Sequence, residues 1–338
     1  AQMVNSGNDF YEKTVTLTQD ISLSGEWTPI GNSYSFSGLF DGGGHTISGM
    51  TITQINNRYL GLFGSIDSSA TIIKNLNVKG SINIILTSED YTPPELDVGG
   101  IVGENRATIE NCSSDVKITG NFDLWEGDYI TVYAGGIVGD GQSGSTIRNS
   151  SAFGDIMLTS SAPDVGSSMQ YNELYVGGIA GRGYSSTYIY DSYAVGDMTG
   201  TATQNARVYT GGLIGYFAVG GGCENSYATG NVEGSSHSEL YVGGLVGKMG
   251  EGTQYVTNSY ATGDVKANGA DSATTYVGGL VGYIEAGTKN TQLGINPNRI
   301  SYCYALNEKI TANGGTCYLN RVVGGVYKAQ NSYTVDLS

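Results

Sequence analysis

The residues of this chain that could perform chemistry are few, and their spacing fits no catalytic motif. The two histidines, His45 and His237, do not form the H-E-x-x-H pair that places two imidazoles on one helix face to bind zinc. No nucleophile elbow and no Walker loop occurs either. The sequence therefore predicts no catalytic residue, no metal site and no cofactor.

Two pairs of carboxylates are the remaining candidates for catalysis. Glycan hydrolysis needs two such groups about 5–10 Å apart in a groove, and Glu104 with Glu110, or Asp123 with Glu126, could be brought together in this way. Acidic residues in loops are commonly only solvated, and no cluster of Lys, Arg and Tyr indicates the base of a lyase. The sequence therefore favours a protein that is not an enzyme.

Aromatic side chains are the candidates for binding. Tyrosine, with 25 residues, far outnumbers phenylalanine, with 7, and a ring that ends in a hydroxyl suits a half-exposed surface better than a dry core. Trp125 stands among the acidic residues 123, 126 and 128. It is the most suggestive single residue, although a loop that packs its one ring onto the protein would have the same sequence.

The net charge of −15, from 31 acidic and 16 basic residues, argues against negatively charged partners. It disfavours both nucleic acid and docking on an anionic membrane. No run of residues approaches the ~18 consecutive apolar positions that span a bilayer, so no direct membrane insertion is expected. Residues 1–10 lack the regions of a signal peptide, so an exported protein would already have lost its leader.

These residues are positioned by a repeat that covers most of the chain. Its first block is Gly-Gly-apolar-apolar-Gly, with a variant at 60–64 and a decayed copy at 323–327. The clear copies are Gly99–Gly103, Gly135–Gly139, Gly177–Gly181, Gly211–Gly215, Gly243–Gly247 and Gly278–Gly282. The second block reads N-S-Y-A-T-G-D-V in its clearest form and has weaker copies at 302–310 and 331–334. Its other copies begin at Asn75, Asn111, Asn149, Asp191, Asn225 and Asn258.

The repeat predicts an all-β fold. Its units are rich in Val, Ile, Thr and Tyr and are interrupted by glycine, which is typical of short strands and turns. A unit this small cannot bury its own apolar face, so neighbouring units must stack. We predict a right-handed parallel β-helix (β-solenoid), with a β-propeller as the rival. Residues 1–59 are expected to form an atypical N-terminal capping region with the first coils, and residues 60–338 a single continuous repeat domain.

Equivalent residues of a solenoid stack about 4.8 Å apart, so each column keeps one chemistry. The columns two residues before and three residues after the Asn position are predicted to be interior, and the Asn column to be a structural ladder. Cys112 and Cys303 share a column about five coils apart, roughly 24 Å, which is beyond the reach of a disulfide. Buried free thiols are expected, and a pairing of Cys303 with Cys317 stays open. Insertions are predicted at 86–96, 121–129, 158–174 and 284–299.

Two columns carry tyrosine. The first, which we call the outer tyrosine column, is predicted to lie outside because earlier coils have Asn and Ser there; it consists of Tyr193, Tyr227, Tyr260 and Tyr304. The second tyrosine column stands two residues before each Gly pair and consists of Tyr133, Tyr175, Tyr209, Tyr241 and Tyr276. Both columns can be interpreted as structural aromatic stacks, or as flat platforms for sugar rings or a partner protein.

The alternation of GGLVG with NSYATGDV resembles GLUG-motif proteins, and the opening WTPIG…FSGLFDGGGHTISG is similar to the segment that precedes GLUG repeats in bacterial surface proteins. The resemblance covers nearly the whole chain and is specific as a repeat signature, but it is weak as a statement of function. It implies an extracellular or cell-surface protein, and many members are adhesins. GLUG repeats also occur as accessory regions of IgA-cleaving zinc metallopeptidases, whose zinc motif is absent here. The family implies no catalytic or ligand residues.

Residues and resemblance together predict a non-catalytic extracellular surface repeat protein, active in cell adhesion or ligand binding. The expected partner is a host or matrix glycan or protein, and the expected state is a monomer. The alternatives are a passive stalk or spacer of a larger surface protein, and a glycan lyase or hydrolase on a β-helix. The candidate binding residues are Trp125, Tyr193, Tyr227, Tyr260 and Tyr304.

Overall fold

The computed structural model describes residues 1–55, 57–88, 93–125, 128–161, 172–204, 206–285 and 298–326. Within these ranges the paired strands are parallel and stack into four sheets, which the chain visits in rotation. The predicted parallel β-solenoid is therefore confirmed, and the rival β-propeller is wrong.

The described elements are one short helix, α1 (Gln2–Asn5), and the strands of sheets A to D. Sheet A contains β1 (Thr14–Thr16), β3 (Leu39–Asp41), β7 (Ile72–Lys74), β11 (Thr108–Glu110), β15 (Thr146–Arg148), β20 (Thr187–Tyr190), β25 (Gly221–Glu224), β30 (Tyr255–Thr257) and β35 (Arg299–Ser301). Sheet B contains β2 (Ile21–Ser22), β4 (Thr46–Ile52), β8 (Asn77–Thr87), β12 (Ser113–Asp123), β16 (Ser151–Ala152), β17 (Ile156–Ser160), β21 (Tyr193–Ala194), β22 (Met198–Ala202), β26 (Tyr227–Ala228), β27 (Val232–Ser236), β31 (Tyr260–Ala261), β32 (Val265–Gly269), β36 (Tyr304–Ala305) and β37 (Ile310–Asn313). Sheet C contains β6 (Phe63–Ile66), β10 (Val102–Asn105), β14 (Val138–Gly141), β19 (Ala180–Gly183), β24 (Ile214–Phe217), β29 (Val246–Met249), β34 (Val281–Ile284) and β39 (Val323–Val326). Sheet D contains β5 (Tyr59–Leu60), β9 (Glu95–Gly99), β13 (Thr131–Gly135), β18 (Asn172–Gly177), β23 (Ala206–Gly211), β28 (Glu239–Gly243), β33 (Thr274–Gly278) and β38 (Thr316–Asn320).

One coil passes through sheets C, A, B and D in that order. The coil that begins at β10 continues through β11, β12 and β13, and the next coil begins at β14. Each coil pairs its backbone groups with the coils before and after it, and the register carries each residue onto its counterpart one repeat later, as with Ile109 and Ile147. Sequence columns are therefore spatial columns.

The two columns predicted to be interior form part of the core. The members two residues before the Asn position are buried and are Ile73, Ile109, Ile147, Ile189, Cys223, Val256 and Ile300. The column of small residues is buried from Val78 to Ala261. The side chains of this column are small because they pack against the glycine block: a Cβ on Gly136 would lie only 2.6 Å from the Cβ of Ala152. The second glycine of each pair and the small column thus meet inside the coil.

The Asn column lies in the left-handed backbone region, with φ near +50° at Asn75, Asn111, Asn149, Asp191, Asn225 and Asn258. Asparagine and aspartate enter this region more readily than other residues with a side chain. The Nδ2 of Asn111 donates to Oδ1 of Asn75 at 3.3 Å, and the Nδ2 of Asn225 donates to Oδ1 of Asp191 at 3.1 Å. The predicted ladder is present at these steps, and the backbone turn explains the choice of residue.

The N-terminal end is built differently from the rest. Strands β1 and β2 stack on β3 and β4, which in turn stack on β7 and β8. The rings of Phe36, Phe40 and Phe63 pack with centroids 5.2–6.3 Å apart and fill this end of the core. The division of the chain at residues 59 and 60 stays a prediction. The predicted insertions lie partly outside the described residues, and the repeat copy at 331–334 lies wholly outside them.

The four cysteines are free thiols: Cys112 and Cys223 are buried, Cys303 is half-buried and Cys317 is exposed. Cys303 and Cys317 therefore do not pair. Burial raises the pKa of Cys112 and of Cys223 to about 12.

Candidate functional site

The outer tyrosine column runs along sheet B. Tyr193, Tyr227 and Tyr260 are half-buried, and Tyr304 is exposed. The ring centroids of Tyr193 and Tyr227, and of Tyr227 and Tyr260, are 4.9 Å apart with nearly parallel planes. The exposed ring of Phe153 meets Tyr193 edge-on at 5.8 Å. From Phe153 to Tyr260 these rings form a continuous aromatic strip along the solenoid.

This stacking limits what the outer tyrosine column can bind. The rings from Tyr193 to Tyr260 lie against one another, so this part of the strip presents mainly ring edges and phenolic hydroxyls rather than open faces. A sugar ring stacks on an open aromatic face, whereas a protein surface can pack along ring edges and hydrogen-bond the hydroxyls.

Trp125 lies at the opposite end of the sheet B strands from the outer tyrosine column. It follows β12, whose first residue, Ser113, pairs with Ser151 and through it with Tyr193. Its side chain is 64% exposed. The structure does not bring Trp125 and the outer tyrosine column together, because the length of β12 lies between them.

The second tyrosine column is covered. Tyr133, Tyr175, Tyr209 and Tyr241 are only 4–5% exposed. Side chains of sheet C lie over their rings: Tyr216 is 5.8 Å from Tyr175, and the Lys248 ammonium is 4.9 Å from the centre of Tyr241. This column is a structural stack, and the platform interpretation is wrong for its buried members.

Glycine explains why sheet C can approach sheet D so closely. A Cβ on Gly135 would lie 2.0 Å from the carbonyl oxygen of Val138, and a Cβ on Gly139 would lie 2.4 Å from the backbone nitrogen of Val98. The first and third glycines of the block therefore permit a tight bend, across which one column of sheet D faces one column of sheet C.

In the coils nearest the N-terminus, the two columns that face each other across this bend carry charged side chains. Asp97 precedes Tyr133 in the column of sheet D, and Glu104 and Asp140 precede Arg182 in that of sheet C. One carboxylate oxygen from each of Asp97, Glu104 and Asp140 lies within 4.8 Å of the other two. We call these three residues, with the neighbouring Glu95, the acidic cluster. The side chains of Asp97 and Asp140 are 0% exposed and that of Glu104 is 13% exposed.

Two arginines hold the acidic cluster. Arg58 contacts Glu95 at 2.6 Å, Asp97 at 3.1 Å and Glu104 at 3.7 Å. The guanidinium of Arg182 donates to both oxygens of Asp140, at 2.8 and 2.6 Å, and lies 3.8 Å from the ring centre of Tyr133.

One oxygen of the cluster has no partner. The Oδ1 atom of Asp97 is buried and accepts no hydrogen bond from any residue that the structure describes. Burial raises the pKa of Asp97 well above its ordinary value, and the neighbouring Asp140 carboxylate raises it further. Burial also raises the pKa of Glu104.

Glu104 also borders a polar cavity of about 330 Å³. Its walls are Gly31, Asn32, Ser33, Ser35, Tyr59, Ser65, Asp67, Glu104 and Arg106. Arg106 pairs with Asp67 at 2.7 Å. The cavity is polar enough to hold water or a small polar ligand beside the cluster.

Sequence reasoning missed the acidic cluster. It paired Glu104 with Glu110, but Glu110 instead accepts a hydrogen bond from Arg148 at 2.7 Å, and Glu126 lies outside the described residues. The sequence did contain a signal for the cluster, because charged residues interrupt two columns. Asp97 stands where later coils have tyrosine, and Asp140 pairs in register with Arg182.

Comparison with known proteins supports the repeat. Residues 96–119 match the family model of the GLUG motif. Halomucin from Haloquadratum walsbyi is 32% identical over 155 residues, which are 43% of this chain and 2% of halomucin. An Evansella cellulosilytica protein, named as a Gly-rich membrane protein, is 34% identical over 108 residues, which are 30% of this chain and 12% of that protein. The chain thus spans a small part of both relatives.

A solved structure of a Bacteroides ovatus protein, described as an immunoglobulin A1 protease, aligns with 99% of this chain and 80% of its own, at 17% identity and a TM-score of 0.47. Among the described residues, no helix has the length and apolar character needed to cross a membrane.

The segment that matches the family model contains one copy of both sequence blocks, and those blocks recur in the later coils. The chain therefore contains a GLUG motif at residues 96–119, and the two blocks of that motif are repeated along it.

Proposed function

We propose that the protein is a non-catalytic, extracellular surface repeat protein that binds a partner along its outer tyrosine column. The observation that carries the proposal is the contrast between the two tyrosine columns. Both are stacked in register, but the second column is buried from Tyr133 to Tyr241, whereas the outer one is half-buried or exposed from Tyr193 to Tyr304. Tyrosine is enriched at binding hot spots because it combines a large apolar ring with a hydrogen-bonding end.

A partner protein is the favoured ligand, since the strip presents ring edges and hydroxyls. A glycan is the second candidate, and the exposed indole of Trp125 is the feature that favours it. The protein is expected to bind either ligand as a monomer.

Surface location is supported by the relatives, one of which is named halomucin and the other a membrane protein. The excess of acidic residues is consistent with a soluble surface that does not bind nucleic acid.

The buried state of the acidic cluster argues against glycan hydrolysis there. A hydrolase needs both carboxylates beside the scissile bond, but the side chains of Asp97 and Asp140 have no exposed surface. Of the three clustered carboxylates, Glu104 is the one that borders the cavity. A substrate could therefore reach one member of a pair but not two.

The test is binding to an array of matrix proteins and glycans by the wild-type chain and by a Tyr227→Ser, Tyr260→Ser variant. Serine already occupies the same column at 113 and 151, so the variant is expected to fold. Loss of two anchoring rings should weaken binding by more than about tenfold.

The matched control is Tyr11→Ser, which removes an exposed ring at the N-terminal end and should bind as the wild type does. Loss of binding on Trp125→Ser but not on the double tyrosine change would move the site to Trp125. A wild-type chain that binds nothing on the array would make the protein a spacer.

A further inference from the structure

The acidic cluster is short of positive charge. Four carboxylates, Glu95, Asp97, Glu104 and Asp140, meet two guanidiniums, those of Arg58 and Arg182. The next nearby cation in the described residues, Arg106, is paired with Asp67. With every group ionised, the cluster carries a net charge of −2 in the bend between sheets C and D. A divalent cation would balance it.

The partnerless oxygen of Asp97 points to the same missing group. Asp97 has no exposed side-chain surface, and Arg58 contacts only its Oδ2 atom. Leaving a buried carboxylate oxygen without a partner is costly. A cation beside Oδ1 would supply the partner that the described part of the chain does not.

The spacing of the oxygens fits a shared ion. Calcium lies 2.3–2.6 Å from its oxygen ligands, so two ligands of one ion are at most about 5 Å apart. The three carboxylate oxygens of Asp97, Glu104 and Asp140 lie within 4.8 Å of one another. The adjoining cavity, bordered by Glu104 and Ser65, can supply water for the remaining positions of a six- to eight-coordinate ion.

The donor set also selects the kind of cation. All three donors are carboxylates, which are hard ligands that suit calcium and magnesium, whereas zinc and copper sites use His or Cys. The three donors lie on β9, β10 and β14 of adjoining coils. Arg58 holds the Oδ2 atom of Asp97, and Arg182 orients Asp140 by donating to both of its oxygens, each of which keeps a further lone pair for a cation. Such contacts around the ligands hold a metal site in place.

We propose that Asp97, Glu104 and Asp140 bind one divalent cation, with Ca²⁺ favoured. Magnesium requires a nearly ideal octahedron and is usually bound through one or two carboxylates. A cluster of three carboxylates beside a water-accessible cavity suits calcium better.

The test is calorimetric titration of the chelator-treated full chain with CaCl₂, and thermal unfolding over a range of CaCl₂ concentrations. One site per chain is expected, and the Tm should rise with calcium because the ion binds only the folded state. Asp140→Asn and Glu104→Gln should each weaken calcium binding by more than about tenfold, since affinity depends on the charge of the ligands. If Asp140→Asn fails to fold, Glu104→Gln alone tests the site, because Glu104 is partly exposed and its replacement disturbs the core less.

The matched control is Asp115→Asn, an exposed carboxylate on β12 that pairs with Lys79 and should leave calcium binding unchanged. The proposal is overturned if millimolar CaCl₂, MgCl₂ and MnCl₂ produce neither heat nor a change in Tm. It is also overturned if Asp97→Asn raises the Tm while cations have no effect, because a proton would then replace the ion. None of these outcomes depends on what the outer tyrosine column binds.

Discussion

The same turn, at which the backbone takes a φ near +50°, is occupied by asparagine in five coils, at Asn75, Asn111, Asn149, Asn225 and Asn258. This region is strained for most residues with a Cβ, and asparagine enters it because its short amide can bond nearby groups. Asp191 meets the same need in its coil, and at Tyr302 the same φ of +53° is taken by a residue without such a side chain. The repeat therefore selects asparagine for its backbone conformation first and for the ladder second.

Asn225→Ala should lower the free energy of unfolding by about 1–2 kcal/mol, because alanine keeps the left-handed strain and loses the bond to Asp191. Asn225→Gly should cost less, since glycine has no Cβ to clash. Tyr302→Asn should raise the stability of the same fold. Urea denaturation of the three variants checks the order, and equal losses for Ala and Gly would show that backbone strain is not the cause.

At the scale of the elements, the glycine block sets how closely strands approach. Gly212 faces the carbonyl oxygen of Gly244 and the Cβ of Ala228, which a Cβ of its own would meet at 2.1 and 2.6 Å. The first of these contacts is with a backbone oxygen, which cannot move without shifting the next coil. The spacing of sheets C and B thus depends on a residue that has no side chain.

Gly212→Ala should therefore destabilise the protein by about 3 kcal/mol or more, which is the upper range for overpacking. Adding Ala228→Gly should restore only part of the loss, because the clash with the Gly244 carbonyl remains. Val195→Ala, at an exposed site of a neighbouring coil, is the control and should change stability by less than about 0.5 kcal/mol. Denaturant midpoints measure all three, and a Gly212→Ala variant as stable as the control would refute the packing argument.

At the scale of the whole molecule, the solenoid buries titratable groups along its length. Cys112 and Cys223 lie in the core with a pKa of about 12. Burial also holds the pKa values of Tyr175 and Tyr209 well above the ordinary value for a phenol. All of these groups remain neutral in the folded chain at a pH where the unfolded chain would ionise them.

Stability should therefore fall as the pH rises between about 9 and 12. In that window the unfolded thiols have lost their protons and the folded thiols have kept them, so each buried thiol lowers the free energy of unfolding by up to about 1.4 kcal/mol per pH unit. Below about pH 7.5 both states hold the proton, and the thiols contribute almost no slope.

A Cys112→Ser, Cys223→Val variant should lose stability less steeply over the same pH range. Serine and valine occupy these columns in neighbouring coils, at 150 and 256, so both replacements fit. Urea unfolding at several alkaline pH values measures the two slopes. Identical slopes for variant and wild type would assign the alkaline loss to the tyrosines alone.

The sequence by itself determined the repeat, its parallel stacking and the chemistry of its columns. The intervals between glycine pairs define the coil, and the alternation of apolar and polar residues separates the inside from the outside. For that reason periodicity alone places the column of Ile109 and Ile147 in the core, and the number of coils between Cys112 and Cys303 alone excludes a disulfide between them.

Only the tertiary structure decided which tyrosines are open and which carboxylates meet. The second tyrosine column is covered because sheet C bends back over sheet D, and the closeness of that bend depends on contacts between coils that no single repeat contains. Asp97, Glu104 and Asp140 come from three strands of two sheets. Column patterns describe residues that stack along one sheet, whereas the acidic cluster forms across the bend between two sheets, so its geometry was set by packing and not by periodicity.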